Sequence, residues 1–232
     1  MKFTKSLIKG KLVKRYKRFF ADIKLNEETI IAHCPNTGSM MGLLDEGNDV
    51  FVSKNDDPKR KLKYTLEIIK VKKNLVGVNT HFANKISFHG LSNNLVKEVK
   101  NANNIKPEVF FDKETRFDFL VEKDNQKTFV EVKNVTLSRK DKLAEFPDAV
   151  TSRGSKHLKT LIEATKKGYK TYLLFLVQIQ GVTDFKIAKD IDKEYYENYK
   201  LAKKAGVKFL AYRCKISSKE IKIEKKIKII ND

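Results

Sequence analysis

The 232-residue chain carries 49 Lys and Arg against 29 Asp and Glu, a net charge of +20, with 41% hydrophobic residues. This composition excludes a disordered chain and supports one large or two small cores. With no apolar run near the roughly 20 residues that span a bilayer, no secretory signal at the basic N-terminus and two distant cysteines, the expectation is a cytoplasmic protein without membrane partner or disulfides. The charge favours a polyanion, nucleic acid above all. A Lys-rich coding bias accounts for such an excess equally well, so charge alone does not establish the partner.

Residues 7–15, 19–25, 29–33, 49–53, 62–71 and 75–78 read as short strands, separated by turns such as Asn26-Glu27-Glu28 and Lys72-Lys73-Asn74. Turns about every ten residues predict a small β-barrel of the OB type over residues 1–80. Such barrels bind single strands through basic and aromatic side chains. Arg15, Lys17 and Arg18, beside Tyr16, Phe19 and Phe20, have that composition, and Lys61 and Lys63 join the basic set. The competing reading has the Phe residues in the core and the cations in solvent. The loop at 34–40, Cys-Pro-Asn-Thr-Gly-Ser-Met, lacks the spaced glycines and lysine of a phosphate loop. Asn36, Thr37 and Ser39 remain candidates for an anion or ligand loop. Cys34 beside His33 is no nucleophile–base pair, because strand neighbours point to opposite faces.

Residues 81–232 form a second expected domain, which alternates strands and helices. Residues 79–90 read as irregular and 91–101 as a helix carrying Glu98, with Ser92 or Asn93 at its start. A strand at 109–111 precedes a hairpin, 115–122 and 128–135, around Lys123-Asp124-Asn125-Gln126. A charged loop at 138–147 leads to a helix at 149–165, for which Asp148 is the candidate cap. An apolar strand at 172–178, a helix at 192–205, a strand at 207–212 and a Lys-rich edge strand at 216–230 complete an α/β sandwich.

The hairpin carries the chemistry. If Asp124 and Asn125 are the two loop residues, Asp118 falls opposite Glu131, and Lys133 shares their face. Folding alone does not favour two acids and a lysine on one face of a ribbon, because paired acids repel. A divalent metal resolves that repulsion. Asp118 followed by Glu131-Val132-Lys133 is the core of the PD-(D/E)XK nuclease pattern. Two carboxylates suit Mg²⁺ or Mn²⁺, with the Val132 carbonyl as a further ligand and Glu98 as a candidate additional acid. Lysine orients or deprotonates water, or stabilises transition-state charge. The competing reading is an ion pair of Lys133 with Glu131 or Asp118, worth little at a surface. Arg153, Lys156, His157 and Lys159, on the following helix, are candidates for a phosphate backbone.

Several separated blocks extend this reading: RFFADI at 18–23, HCPNTGSMMGLL at 33–44, KLKYTLE at 61–67, VGVNT at 76–80, TRFDFL at 115–120, VEVKNVTL at 130–137 and FPDAVTSRGSKHL at 146–158. In these blocks the chain resembles the sugar fermentation stimulation protein A (SfsA) family over nearly its full length. The resemblance implies an N-terminal OB-like barrel and a C-terminal PD-(D/E)XK nuclease-like α/β domain. It also implies a cytoplasmic DNA-binding regulator of sugar, especially maltose, metabolism, and it maps the acidic motif onto Asp118, Glu131 and Lys133. Segments 84–95 and 110–114 depart from the family pattern. Three functions stay open: a metal-dependent DNA nuclease, a non-catalytic DNA-binding regulator, and a small-metabolite binder near Asn36 and Thr37. The oligomeric state is open as well, with a homodimer compatible with the sequence.

Overall fold

Alternation of apolar and polar residues builds the first third of the chain. Leu12, Ala21, Ile23, Ala32, Val50 and Val52 are buried and alternate with more exposed residues, whereas residues 65–69 are buried throughout. In the computed structural model, which describes residues 1–230, they lie on strands β1 (Ile8–Tyr16), β2 (Phe20–Leu25), β3 (Glu28–His33), β4 (Asp49–Lys54) and β5 (Tyr64–Val71). The sheet runs β3-β2-β1-β4-β5, and β3 pairs with β5 to close the OB-like barrel. A short strand, β6 (Asn74–Gly77), pairs with β5 and leads out of it. Gly77 N–H then donates to the Gln178 carbonyl, and Gln180 N–H to that of Leu75. One apolar core runs from the barrel into the following α/β part.

The second part is a six-stranded sheet sandwiched by helices, the nuclease-like α/β arrangement. Its order is β15-β14-β12-β9-β8-β7: β7 (Asn104–Phe110), β8 (Arg116–Lys123), β9 (Gln126–Val135), β12 (Lys170–Val177), β14 (Lys208–Ile216) and β15 (Ile221–Lys226). The apolar run of β12 is buried on both faces and pairs in parallel with β9 and β14. The Lys-rich β15 is an edge strand, as its composition predicts. Helices α2 (Ser152–Lys166) and α3 (Lys193–Lys204) pack on one face, with Leu158, Leu161, Tyr195 and Ala202 turned inward. Helix α1 (Ala83–Ser92) covers the other face against Val130, Val132 and Ile223.

Four expectations change. The helix after the barrel is α1, not residues 91–101, and residues 79–90 are not irregular. Its inward residues Ala83, Ile86, Ser87, Gly90 and Leu91 have helical spacing, but small and polar types conceal it. Gly90 is required there, because a Cβ would lie 2.4 Å from Ile223 Cδ1. Residues 138–147 are a hairpin, β10 (Leu137–Lys140) and β11 (Leu143–Phe146), rather than a loop. With β13 (Asp184–Ile187) and β16 (Lys228–Ile229) it forms a second small sheet, so residues 216–230 are not one strand. Finally, Thr151 caps α2, its Oγ1 accepting from Gly154 N–H at 3.0 Å; Asp148 does not.

Candidate metal and nucleic-acid site

The site starts from a tight turn. Asp124 and Asn125 both adopt left-handed φ, +46° and +64°, which short polar residues tolerate. This sets the register Val121↔Thr128, Leu120↔Phe129 and Phe119↔Val130. Asp118 lies one step beyond the last of these pairs. Its Oδ2 accepts from the Val132 N–H at 2.7 Å, so a side chain takes a backbone donor at the point where the ladder stops. Its Oδ1 accepts from the Asn84 side-chain amide on α1 at 2.8 Å.

Glu131 and Lys133 sit on β9, held in place by β12. Glu131 is 2% exposed. Its Oε1 accepts from Lys133 Nζ at 2.8 Å and contacts His157 Nδ1 of α2. Lys133 Nζ is also 3.1 Å from His157 Nδ1. Glu131 Oε2, however, is buried without a hydrogen-bond partner. Such a group costs free energy unless something satisfies it.

The two carboxyls respond to these surroundings in opposite ways. Burial first, and then the Glu131 charge, push the Asp118 carboxyl up to about 6. Burial alone would raise Glu131 as well, but Lys133 and His157 outweigh it and hold this carboxyl below its ordinary range. A cation bridging the pair would relieve the repulsion that raises Asp118 and satisfy Glu131 Oε2. Among the described residues, no group of three or more His, Cys, Asp or Glu is gathered to hold a metal ion. The donor set is therefore two carboxylates without a closed cage. It suits a hard divalent cation that keeps several waters, and excludes a structural zinc site.

Asp118 and His157 open into a cleft of ≈ 750 Å³ that also exposes Arg153 and Lys156. Arg153 Nε lies 3.3 Å from His157 Nε2. The structure thus brings His157 to Glu131 and Arg153 to His157, while Lys156 lines the same cleft as Asp118 and lies 3.6 Å from Glu114. Lys159 points elsewhere, 3.9 Å from Glu194. On the barrel, Lys17, Arg18, Lys61 and Lys63 are exposed and do not line this cleft. Arg15 is not free for a nucleic acid. Its guanidinium donates to the carbonyls of Arg18, Asn36 and Gly38 and staples the 36–38 loop.

That loop is held largely by its own contacts and by an acid. Gly38 N–H donates to Asn36 Oδ1 at 2.9 Å, and Met40 N–H points at Asp148 Oδ2 at 3.4 Å. Thr37 and Ser39 are exposed, but Ser39 Oγ faces Met41 N–H. The Asp148 carboxylate presses so close that a Cβ on Gly38 would lie 2.2 Å from it. An acid packed on the loop disfavours an anion at its backbone amides, whereas the buried Asn36 Nδ2 is a donor without a hydrogen-bond partner.

Glu98 is also not brought to the site. It lies in a 3₁₀ turn, Lys97–Val99. Its Oε2 accepts from the Tyr212 hydroxyl at 2.7 Å and its Oε1 from Lys226 at 2.6 Å. It borders a separate depression with Val121, Thr128 and Lys170, so the additional-acid role is withdrawn. Sequence reasoning missed two residues. Asn84, on α1, bridges Asp118 and Glu108. Glu108 has φ +54° and sits between the paired residues Pro107 and Val109, opposite Asp118. The helical spacing of α1 could have revealed Asn84; nothing in the sequence marks Glu108.

Comparisons agree with this architecture. Residues 13–78 match the family model described as the SfsA N-terminal OB domain, and residues 81–220 match that of the sugar fermentation stimulation protein RE domain. A sugar fermentation stimulation protein homolog from Pelagibacter ubique (strain HTCC1062) is 84% identical over 231 residues, covering 100% of both chains. The homolog from Marinomonas sp. (strain MWYL1) is 42% identical, over 99% of this chain and 90% of that one. The structure of Pyrococcus furiosus SfsA in complex with Ca²⁺ shares the fold, with TM-score 0.88 over 100% of this chain and 98% of that one, at 24% identity. No helix among the described residues is long and apolar enough to cross a membrane. The chain belongs to the sugar fermentation stimulation protein family.

Proposed function

We propose that this chain binds nucleic acid, DNA in the first instance, and hydrolyses its phosphodiester bonds with Mg²⁺ or Mn²⁺ at Asp118 and Glu131. The observation that carries this reading is the buried, unpartnered Glu131 Oε2 beside an acid whose pKa is raised. Lys133 pairs with Glu131 Oε1 only; a bare second oxygen, buried beside another acid, favours a cation there. The Ca²⁺ in the Pyrococcus furiosus relative supports a hard divalent ion at this fold. The net charge of +20 supports a polyanionic partner.

Asp118 and Glu131 would hold the ion, with the Val132 carbonyl as the third protein ligand. Asn84 and the Val132 N–H fix the Asp118 carboxylate, so it cannot swing away. A bound divalent ion supplies Lewis-acid polarisation of a phosphate oxygen and a more acidic water. Lys133 directs its ammonium at the same region and stabilises negative charge on the phosphate or orients the attacking water. His157 holds the Glu131 and Lys133 side chains in register. Arg153 and Lys156 bind backbone phosphates at the cleft.

The test is incubation of wild type and Lys133→Ala with DNA and RNA, each single- and double-stranded, in Mn²⁺. Cleavage by wild type, reduced about 10²- to 10³-fold in the variant, is the expected result. Metal-dependent binding without cleavage by either protein would make the chain a non-catalytic DNA-binding regulator instead.

A further inference from the structure

The cleft beside Asp118 carries an aromatic ring that the fold does not bury. Phe110, at the end of β7, is 67% exposed, more than Phe19 at 46% or Phe88 at 41%. The next residue behaves differently: Phe111 packs against Phe117, Phe129 and Tyr169. A single exposed apolar side chain needs no explanation by itself; what sets Phe110 apart is that its ring borders the polar cleft that Asp118 lines.

Phe110 is also held in place. The Arg116 guanidinium stands over its ring, 5.6 Å from the centroid. Glu108 anchors that guanidinium at 2.9 Å and accepts from the Asn84 amide at 3.1 Å. The same amide binds Asp118 at 2.8 Å. A continuous set of side chains therefore ties the ring to the proposed cation ligand. Phe110, Asp118 and Arg153 line one cleft; Glu108 and Glu114 line it too and pair with Arg116 and Lys156, so Arg153 is the cation placed for a phosphate beside the ring.

In a duplex both faces of each base are covered by its neighbours. A phenyl ring can stack only on a base that has left the stack, and such stacking is tolerant of sequence. We propose that Phe110, backed by Arg116, is the stacking platform for an unpaired base whose neighbouring phosphate lies against Arg153 at the Asp118 end of the cleft. The cleft then takes single-stranded nucleic acid, or a displaced strand, in preference to intact duplex. This rests on the nucleic-acid reading above and names its substrate class.

The chain contains no Trp, so Phe110→Trp gives the protein a single indole placed at the platform. With Ca²⁺ present, the variant is titrated with a single-stranded oligonucleotide and with relaxed, closed-circular duplex, and wild type is titrated in the same way. The single strand should quench the indole fluorescence and the circle should not. In parallel, Phe110→Ala, a change at an exposed position that the core does not need, should weaken single-strand affinity about tenfold while circle affinity stays level. Equal quenching by both forms, or unchanged single-strand affinity in Phe110→Ala, overturns the platform and leaves nucleic-acid binding intact. If wild type binds neither form, the nucleic-acid reading fails and the platform fails with it.

Discussion

Glu131 and Glu145 are buried to the same depth, 2% exposed, yet they do opposite things. Glu145, on β11, is saturated. Arg139 donates to it from its backbone N–H, Nε and Nη2, and Lys186 lies 3.5 Å away. Arg139 also pairs with Asp190 on its far side. Burial alone would raise the Glu145 carboxyl, but Arg139 more than offsets it and the group stays below its ordinary range. Glu131 is held in the same direction by Lys133 and His157, but those contacts crowd onto Oε1 and leave Oε2 bare. A closed network is architecture, whereas an open valence next to a second acid is a place for a ligand. Depth of burial does not distinguish the two; the count of satisfied lone pairs does.

The contrast can be broken by mutation. The largest stability effect should come from Glu145→Ala, which removes the acceptor of three Arg139 donors and leaves Arg139 beside Lys186 with Asp190 alone. It should cost about 3 kcal/mol in chemical denaturation while divalent-cation affinity stays level. Glu131→Gln should cost about 1 kcal/mol, because an amide oxygen still accepts from Lys133 and the repulsion with Asp118 is relieved, which offsets the lost charge. It should at the same time abolish cation binding. If Glu131→Gln destabilised as strongly as Glu145→Ala and spared cation binding, the two sites would be alike and the contrast would collapse.

Asn84→Ala should weaken cation affinity about tenfold, since it removes the donor that orients Asp118 without removing a ligand. An unchanged affinity would make Asn84 a packing residue only.

A third glutamate sharpens the comparison through pH. Glu67 is also 2% exposed, but its donors, Ser53 at 2.6 Å and Asn79 at 2.8 Å, are neutral. Burial, the largest influence, raises its carboxyl above the ordinary value. The folded state therefore holds this proton more tightly than the unfolded chain does. Its stabilising contribution is complete below the unfolded value of about 4.3 and is lost as pH rises through the raised folded value. Glu67→Gln should flatten that decline in denaturation midpoints measured across pH. A decline of the same slope in Glu67→Gln would assign it to another group.

Much of the site was legible because it is local. A two-residue turn with Asp124 and Asn125 determines which residues of β8 and β9 meet, and the alternation along β9 places Glu131 and Lys133 on one face. The barrel was legible for the same reason, since turns and period-two runs are short-range signals. What escaped depends on distant partners. Helix α1 uses Ser87 and Gly90 on its inward face because Ile223, far along the chain, packs there. Without that partner the segment reads as irregular, and Asn84 was lost with it. Glu98 looked suitable as an acid near the hairpin, but Tyr212 and Lys226, from β14 and β15, occupy both its oxygens. The small second sheet joins β11 in parallel with β13 and β13 with β16, long-range pairings that strands of two to four residues do not announce.

The central claim is that Glu131 Oε2 and Asp118 together hold a divalent cation. Calorimetric titration of Mn²⁺ into wild type, Asp118→Ala with Glu131→Ala, and Glu145→Ala tests it most directly. The account predicts binding to wild type and to folded Glu145→Ala, and none to the double variant. Unchanged binding in the double variant, confirmed as folded by circular dichroism, would contradict it.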